Sequence, residues 1–474
     1  MPLVQPRLGS VEEWRFVNHN NDEHPIHIHV NDFQVMEYND PVRNIKSGPQ
    51  HFRLDNVNVP APKLGPGESL IEAGTLTFRT RFDDYAGLFV MHCHRLNHED
   101  NGLMALVNVI PSISAYSVAV QGSGSTPTEI RIYDAKDDKQ ISTVIPFAGY
   151  NGPVSIAMGD VDGDGVLDLV VGAGKGHAPQ VVAYAGGNLR RGPFGTELAR
   201  FQAFATSFLG GVNVATSSID GSTSDNIIVA TGPGMPGEVK VFRTNYPAAI
   251  GTAPEVFSTF KPYGEDKSGI SVAAGLVDFA TGRNSIVTAS GAGSTAEVKV
   301  HVFPLLKPVA GSAHAGMKMD AVNEPTLSAT FTPFGNGYKG GVSLGVGWLA
   351  GSLGGAKRIV VSQLTGKGAV KVFSSGSRLD GGPEMYLHNP SEHSHGANFR
   401  EIASFNPFAG GTQVATTSTT TGASLLVSGS TPQGNRVMKF DFIRADAKAA
   451  TLKAVPLGEG FSVAGSNAVV LAAE

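Results

Sequence analysis

The chain has 474 residues, of which 41% are hydrophobic and 16% charged, with a formal net charge of −5. That length calls for two or three domains, the hydrophobic share excludes a disordered polymer, and the mild acidity leaves no footprint for nucleic-acid binding. No apolar run is long enough to span a bilayer as a helix, and the opening MPLVQPRLGSVEEW lacks the basic and apolar regions of a secretory signal.

Short Val/Ile/Ala runs broken by Gly, Asn and Asp predict an all-β protein. Up to residue 111 the predicted strands are VEEWRFVNH, HPIHIHVNDFQVM, TLTFRTRF, GLFVMHCH and LMALVNVIP, with Pro-, Gly- and Asp-rich loops between them, as in a small β-sandwich. The segment IPSISAY marks a boundary, so residues 1–111 and 112–474 are expected to be separate domains.

Two blocks in the first domain hold six of the fourteen histidines: HPIHIH (His24, His27, His29) and HCHRLNH (His92, His94, His98). The only cysteine, Cys93, lies in the second block, which excludes an intrachain disulfide. Successive side chains on a strand point to opposite faces. His92 and His94 therefore face one way and Cys93 the other. His27 and His29 share a face, while His24, beyond Pro25, can turn elsewhere. This alternation predicts two metal sites back to back. Cys93, His24 and His98 offer the thiolate and two imidazoles that a blue-copper centre requires. His27, His29, His92 and His94 form an all-imidazole group that suits copper, zinc, iron or nickel alike. Any one of these histidines is equally an ordinary strand residue; the set at this spacing points to metal. Structural zinc usually brings more than one cysteine.

HPIHIHVNDFQV together with HCHRLNHEDNGLM resembles the C-terminal cupredoxin domain of multicopper oxidases, the laccase and bilirubin-oxidase group. The resemblance implies type-1 copper at His24, Cys93 and His98, with Leu103 at the axial position and Met104 as the runner-up. It implies that His27, His29, His92 and His94 are half of a trinuclear copper cluster, and that Glu99 supplies protons, although a plain surface carboxylate is an equal reading of that residue. A reducing substrate would give up single electrons, which pass through Cys93 to its neighbours His92 and His94 and reduce dioxygen to water. A complete cluster needs four more histidines, and the other close histidines are His388, His393 and His395 in LHNPSEHSHGANF. That string reads as a polar loop. The chain alone is therefore expected to form no complete cluster and to need a partner chain or oligomer.

Beyond the boundary a repeat recurs roughly every 40 to 70 residues, the shorter end being a spacing found in propeller blades. One copy is PFAGYNGPVSIAMGDVDGDGVLDLVVGAGKGHAPQVVAY; others begin at Phe204, Phe260, Phe331 and Phe405. Each has an aromatic-rich opening, a Gly-led strand, a second strand ending at a Gly-rich turn, and a VKVF-like strand. SVAVQGSGSTPTEIRIYD matches the second half of the repeat, and PLGEGFSVAGSNAVVLAAE matches the first half. The prediction is a six-bladed β-propeller closed by strands from both ends of the repeat region, which removes open sheet edges. In DVDGDGVLD, the alternating carboxylates Asp160, Asp162, Asp164 and Asp168 with intervening glycines can wrap a hard cation. The pattern resembles the calcium loop of FG-GAP (integrin-type) repeats, which implies one structural calcium; the plain alternative is an Asp/Gly turn.

Three functions follow: an oxidoreductase of the multicopper type, a one-site electron-transfer protein, or a propeller-based binding or adhesion protein with a vestigial copper domain. The reducing substrate is not legible. The resemblance suggests an exported protein, although no export signal is visible.

Overall fold

A computed structural model describes the chain from Leu3 to Leu471, apart from short stretches of which the longest are 83–86, 110–114, 135–139, 187–194, 245–253, 309–318, 348–356, 376–383, 387–398, 444–450 and 457–469. Among the described residues the fold is strands throughout, with one short α-helix, Leu96–Asp100, and one 3-10 turn, Pro66–Glu68. No described helix is long and apolar enough to cross a membrane. The chain forms two units. Among the described residues, the first holds those up to residue 109 together with Glu384–Tyr386, and the second holds the remainder.

The first unit is built on two five-stranded sheets. One runs in the order Leu3–Val4, Met104–Val109, Gly87–Cys93, His24–Ile28, Asn56–Val59. The other runs Glu384–Tyr386, Val11–Asn18, Gly74–Arg81, Phe33–Asp40, Ile45–Ser47. Their alternate residues meet in one core: Trp14, Phe16, Phe33, Val35, Leu76 and Phe78 from the second sheet, and Ile26, Ile28, Met91, Cys93, Ala105 and Val107 from the first. The Phe33 and Phe78 rings pack at 4.4 Å between centroids, and Trp14 satisfies its indole N–H on Glu12 Oε2 at 2.8 Å. Glu384–Tyr386 comes from far along the chain and pairs in parallel with Val11–Asn18 through Arg15↔Glu384, Phe16↔Met385 and Val17↔Tyr386.

The second unit consists, among the described residues, of six four-stranded antiparallel sheets and one small two-stranded sheet. Five of the four-stranded sheets use strands in chain order, beginning at Val154–Gly159, Val212–Ser217, Ile270–Asp278, Val342–Gly347 and Thr412–Thr419. The sixth joins Ala115–Val120, Glu129–Asp134 and Gln140–Val144 to Val470–Leu471 near the C-terminus. Second strands such as Asp168–Ala173 and Asn226–Thr231 are buried along their whole length. Both faces of each are covered, so they read as continuous apolar runs without alternation. Their side chains go alternately to two cores: Leu169 and Val171 pack with Ile130 and Ile132 on one side, Val170 packs with Val212 and Val214 on the other. The Ile130 core also contains Ala415 and Leu426 of the Thr412–Thr419 sheet.

Polar residues at the second position of the first strands link each sheet to the next. Ser155 Oγ accepts from Val214 N (3.0 Å), Asn213 Nδ2 donates to Ile270 O (2.7 Å), Ser271 Oγ donates to Val342 O (2.6 Å), and Ser343 Oγ accepts from Val414 N (3.2 Å). Each link satisfies a backbone group that burial would otherwise leave bare.

Candidate metal centre

The strand His24–Ile28 lies between Gly87–Cys93 and Asn56–Val59, with His27 opposite His92 and Ile26 opposite Cys93. Directly opposed residues share a face. His27 and His92 therefore lie on one face of the sheet, and Cys93 lies with Ile26 and Ile28 on the core face. His24 falls on that core face by simple alternation: its strand is buried at His24, Ile26 and Ile28 and half-buried at Pro25 and His27. The strand runs straight through Pro25, whose carbonyl accepts the His94 N–H at 2.7 Å. The helix Leu96–Asp100 then turns His98 back, with its N–H on Arg95 O at 2.9 Å.

On the core face three donor atoms converge. Cys93 Sγ lies 3.8 Å from His24 Nδ1 and 3.6 Å from His98 Nδ1, and the two nitrogens are 3.2 Å apart. Bonds of about 2.0–2.3 Å to one central ion, disposed trigonally, would hold such donors roughly 3.5–3.7 Å apart. The triangle therefore fits a single ion bound by two imidazoles and a thiolate. Burial, reinforced by the neighbouring His98, lowers His24 to about 4, so its imidazole is neutral and free to ligate at neutral pH. Burial pushes the Cys93 thiol up, so a bound cation would itself have to favour the thiolate. Leu103 is partly buried against the core that contains Cys93; its carbonyl accepts from Cys93 N at 3.1 Å and its N–H donates to His98 O at 2.9 Å. Met104 is paired with His92, which puts it on the opposite face from Cys93.

Four imidazoles gather on the other face. His27, His29 and His92 bring their donor nitrogens within 4.8 Å of one another, and His29 Nε2 lies 3.2 Å from His92 Nε2. The exposed His94 ring lies 5.1 Å from that of His27 and 5.2 Å from that of His92. Two backbone carbonyls, of Asp55 outside the motifs and of Cys93 within, fix the tautomers. His27 Nδ1 donates to Asp55 O at 2.6 Å, and His92 Nδ1 donates to Cys93 O at 3.2 Å, so both rings present Nε2 as the ligating atom. Glu99 Oε2 stands 3.7 Å from His92 Nδ1, beside this cluster. Asp22 Oδ2, also outside the motifs, is 3.7 Å from His98 Nε2.

In the second unit Asp160, Asp162 and Asp168 bring carboxylate oxygens within 4.8 Å of one another; Asp164 lies outside the described residues, as do His388, His393 and His395. Asp168 also folds its own loop: Oδ2 accepts from Val161 N (2.9 Å) and Asp162 N (3.2 Å), and Oδ1 from Gly186 N (2.8 Å). In the next sheet Asn226 Oδ1 accepts from Ile219 N (2.7 Å) and Asp220 N (3.1 Å) in the same way, and Arg243 Nε holds Asp220 at 2.9 Å. The loop geometry thus survives there without the carboxylates, a guanidinium standing against the acid that remains.

Residues 2–112 match the family described as multicopper oxidase, and residues 152–187 match the FG-GAP repeat. A laccase of Bacillus stratosphericus is 35% identical over 109 residues, which is 22% of this chain and 21% of that protein. Bilirubin oxidase of Albifimbria verrucaria is 32% identical over 107 residues, 22% of this chain and 17% of the relative. Among solved structures, a multicopper oxidase from Campylobacter jejuni is 29% identical over 23% of this chain and 20% of its own, with a TM-score of 0.19. The chain spans about a fifth of the length of the curated relatives it matches. The N-terminal unit of this chain is thus a domain of the multicopper oxidase type, with an FG-GAP repeat following it in the sequence.

Proposed function

We propose that the chain is a copper-dependent oxidoreductase of the multicopper type, which takes single electrons from a reducing substrate and works with a partner chain or oligomer that completes its oxygen-reducing site. The reading is carried by the His24–Cys93–His98 triangle, whose edges of 3.2–3.8 Å suit one ion and whose mixed sulfur and nitrogen donors suit copper. Copper held there would supply one-electron redox chemistry, and His27, His29, His92 and His94 would provide half of the ligands for the copper that reduces dioxygen. The protein's own part is positional. Cys93 is bonded through the backbone to His92 and His94, so the two donor sets are joined covalently. The Asp55 and Cys93 carbonyls hold His27 and His92 with their outer nitrogens presented, and Glu99 stands beside His92 with a carboxylate able to hold or pass a proton. Leu103, packed against the Cys93 core, would present a non-coordinating side chain to an ion held there.

A second reading, electron transfer without oxygen chemistry, has one observation in its favour. Outside these two blocks the only other HxH string in the chain is His393–Ser394–His395. Copper content, visible absorption and oxygen uptake of the purified chain separate the readings. We expect thiolate-to-copper absorption with no oxygen uptake by the chain alone. Uptake by the copper-loaded monomer refutes the need for a partner, and a chain that binds no copper refutes the oxidoreductase reading.

The second unit we read as a six-bladed propeller closed by the pairing of Val470–Leu471 with Ala115–Val120. The core shared by Ile130, Val154, Ala415 and Leu426 supports this. We assign one structural calcium to Asp160, Asp162, Asp164 and Asp168, supported by the convergence of three of these carboxylates. Chelation with EGTA should lower the melting temperature; no change would make the loop a plain turn.

A further inference from the structure

The two imidazoles that face Cys93 meet the rest of the protein differently. His24 turns Nδ1 toward the other donors, and its Nε2 is buried with no hydrogen-bond partner among the described residues. His98 also turns Nδ1 inward, but its Nε2 faces Asp22 Oδ2 at 3.7 Å. The His98 side chain is 14% exposed and Asp22 60%, so this pair lies where the donor set reaches the surface. Asp22 is braced from its other oxygen: Arg95 Nη1 lies 3.4 Å from Oδ1 and donates to Glu23 O at 3.4 Å. Asp22 stands just ahead of the strand that begins at His24, while Arg95 and His98 flank and belong to the helix Leu96–Asp100.

A neutral imidazole carries one ring proton. With an ion at Nδ1, that proton sits on Nε2, and a carboxylate facing it fixes the ring orientation and strengthens Nδ1 as a donor. A negative charge beside the ligand also favours the more highly charged ion. We propose that Asp22 is a positioning residue for His98, holding it in the Nε2–H tautomer and biasing the copper bound there toward Cu(II). The inference rests on the copper reading given above. Only the local fold brings this carboxylate to His98.

The test uses the full chain loaded with copper, as wild type, Asp22→Asn, Asp22→Glu and Arg95→Gln. Asp22 is exposed and asparagine nearly isosteric, so far-UV circular dichroism should not change. We expect Asp22→Asn to lower Cu(II) affinity about tenfold relative to Cu(I), to raise the reduction potential accordingly and to shift the visible band; Asp22→Glu restores most of both. Removing Arg95 takes away a positive charge and should move the potential the opposite way. Identical potential and band in wild type and Asp22→Asn overturn the proposal. So does an Arg95→Gln variant that reproduces the Asp22→Asn shift, since Asp22 would then act only by holding Arg95. A wild-type chain that takes up copper without thiolate absorption overturns the copper reading, and this inference with it. That failure is read from the wild type alone, so the two are distinguishable.

Discussion

Leu103 touches the proposed copper site from both sides through its backbone, bonding Cys93 and His98 in turn, so its side chain can change while its position is held. Leu103→Met adds a weak thioether ligand, which favours Cu(II). A tenfold change in relative affinity corresponds to about 59 mV for one electron, and a fall in potential of that order is expected by voltammetry. Met104 is paired with His92 and so lies on the face away from Cys93, which makes Leu103 the position to vary. His301 makes a separate residue-scale prediction. It is buried, with Nε2 3.3 Å from Thr288 Oγ1 and its ring 4.9 Å from Phe260, and burial, with Lys299 nearby, lowers it to about 4. Its folded pKa lies below the unfolded value near 6.5. The stability it contributes is therefore present above pH 6.5 and is lost as the pH falls toward 4. Replacing His301 by Phe should make that loss shallower by about 3 kcal/mol, measured by denaturant titration across the window. The convergence of the motif histidines and the cysteine was legible in the sequence because strand alternation fixes which of them share a face. Asp55 was not: its contribution is a backbone carbonyl, which every residue possesses.

Strands and loops were legible to different depths. Period-two alternation announced the two faces of Gly87–Cys93 and the separation of His24 from His27; that the strand runs straight through Pro25 was not legible, since proline is tolerated at the start of a strand. The Asp-rich loop was legible as a carboxylate cluster. That Asp168 spends both oxygens on backbone N–H groups was not, since the same residue type serves either use. Packing between neighbouring sheets sets a further element-scale demand. A Cβ on Gly159 would come within 2.5 Å of Thr216 Oγ1 and 2.6 Å of Asp225 Oδ2, both in the next sheet's hairpin. Thr216 Oγ1 also donates to Met158 O at 2.7 Å, so it has little freedom to withdraw. Gly159→Ala should therefore cost about 1–3 kcal/mol, seen as a lower melting temperature with unchanged copper uptake.

For the molecule as a whole, the repeat in the sequence foretold a succession of similar sheets, because each copy carries the same apolar strands and Gly-rich turns. The pairing of Val470–Leu471 with Ala115–Val120 tests the proposed ring. Deleting residues 457–474 should lower the melting temperature by more than about 5 °C and promote association through the bared edge; an unchanged chain would mean that the last strand is dispensable. The pairing of Glu384–Tyr386 with Val11–Asn18 was not foretold, because strand register between distant segments leaves no local mark. It has a consequence for biosynthesis. At roughly 5–20 residues per second, a ribosome finishes Val11–Asn18 on the order of tens of seconds before it delivers Glu384, so the nascent sandwich waits with one flank unclothed while the rest of the chain emerges. A chaperone that guards that flank would shorten the interval of risk, and slow codons placed upstream of Glu384 would lengthen it.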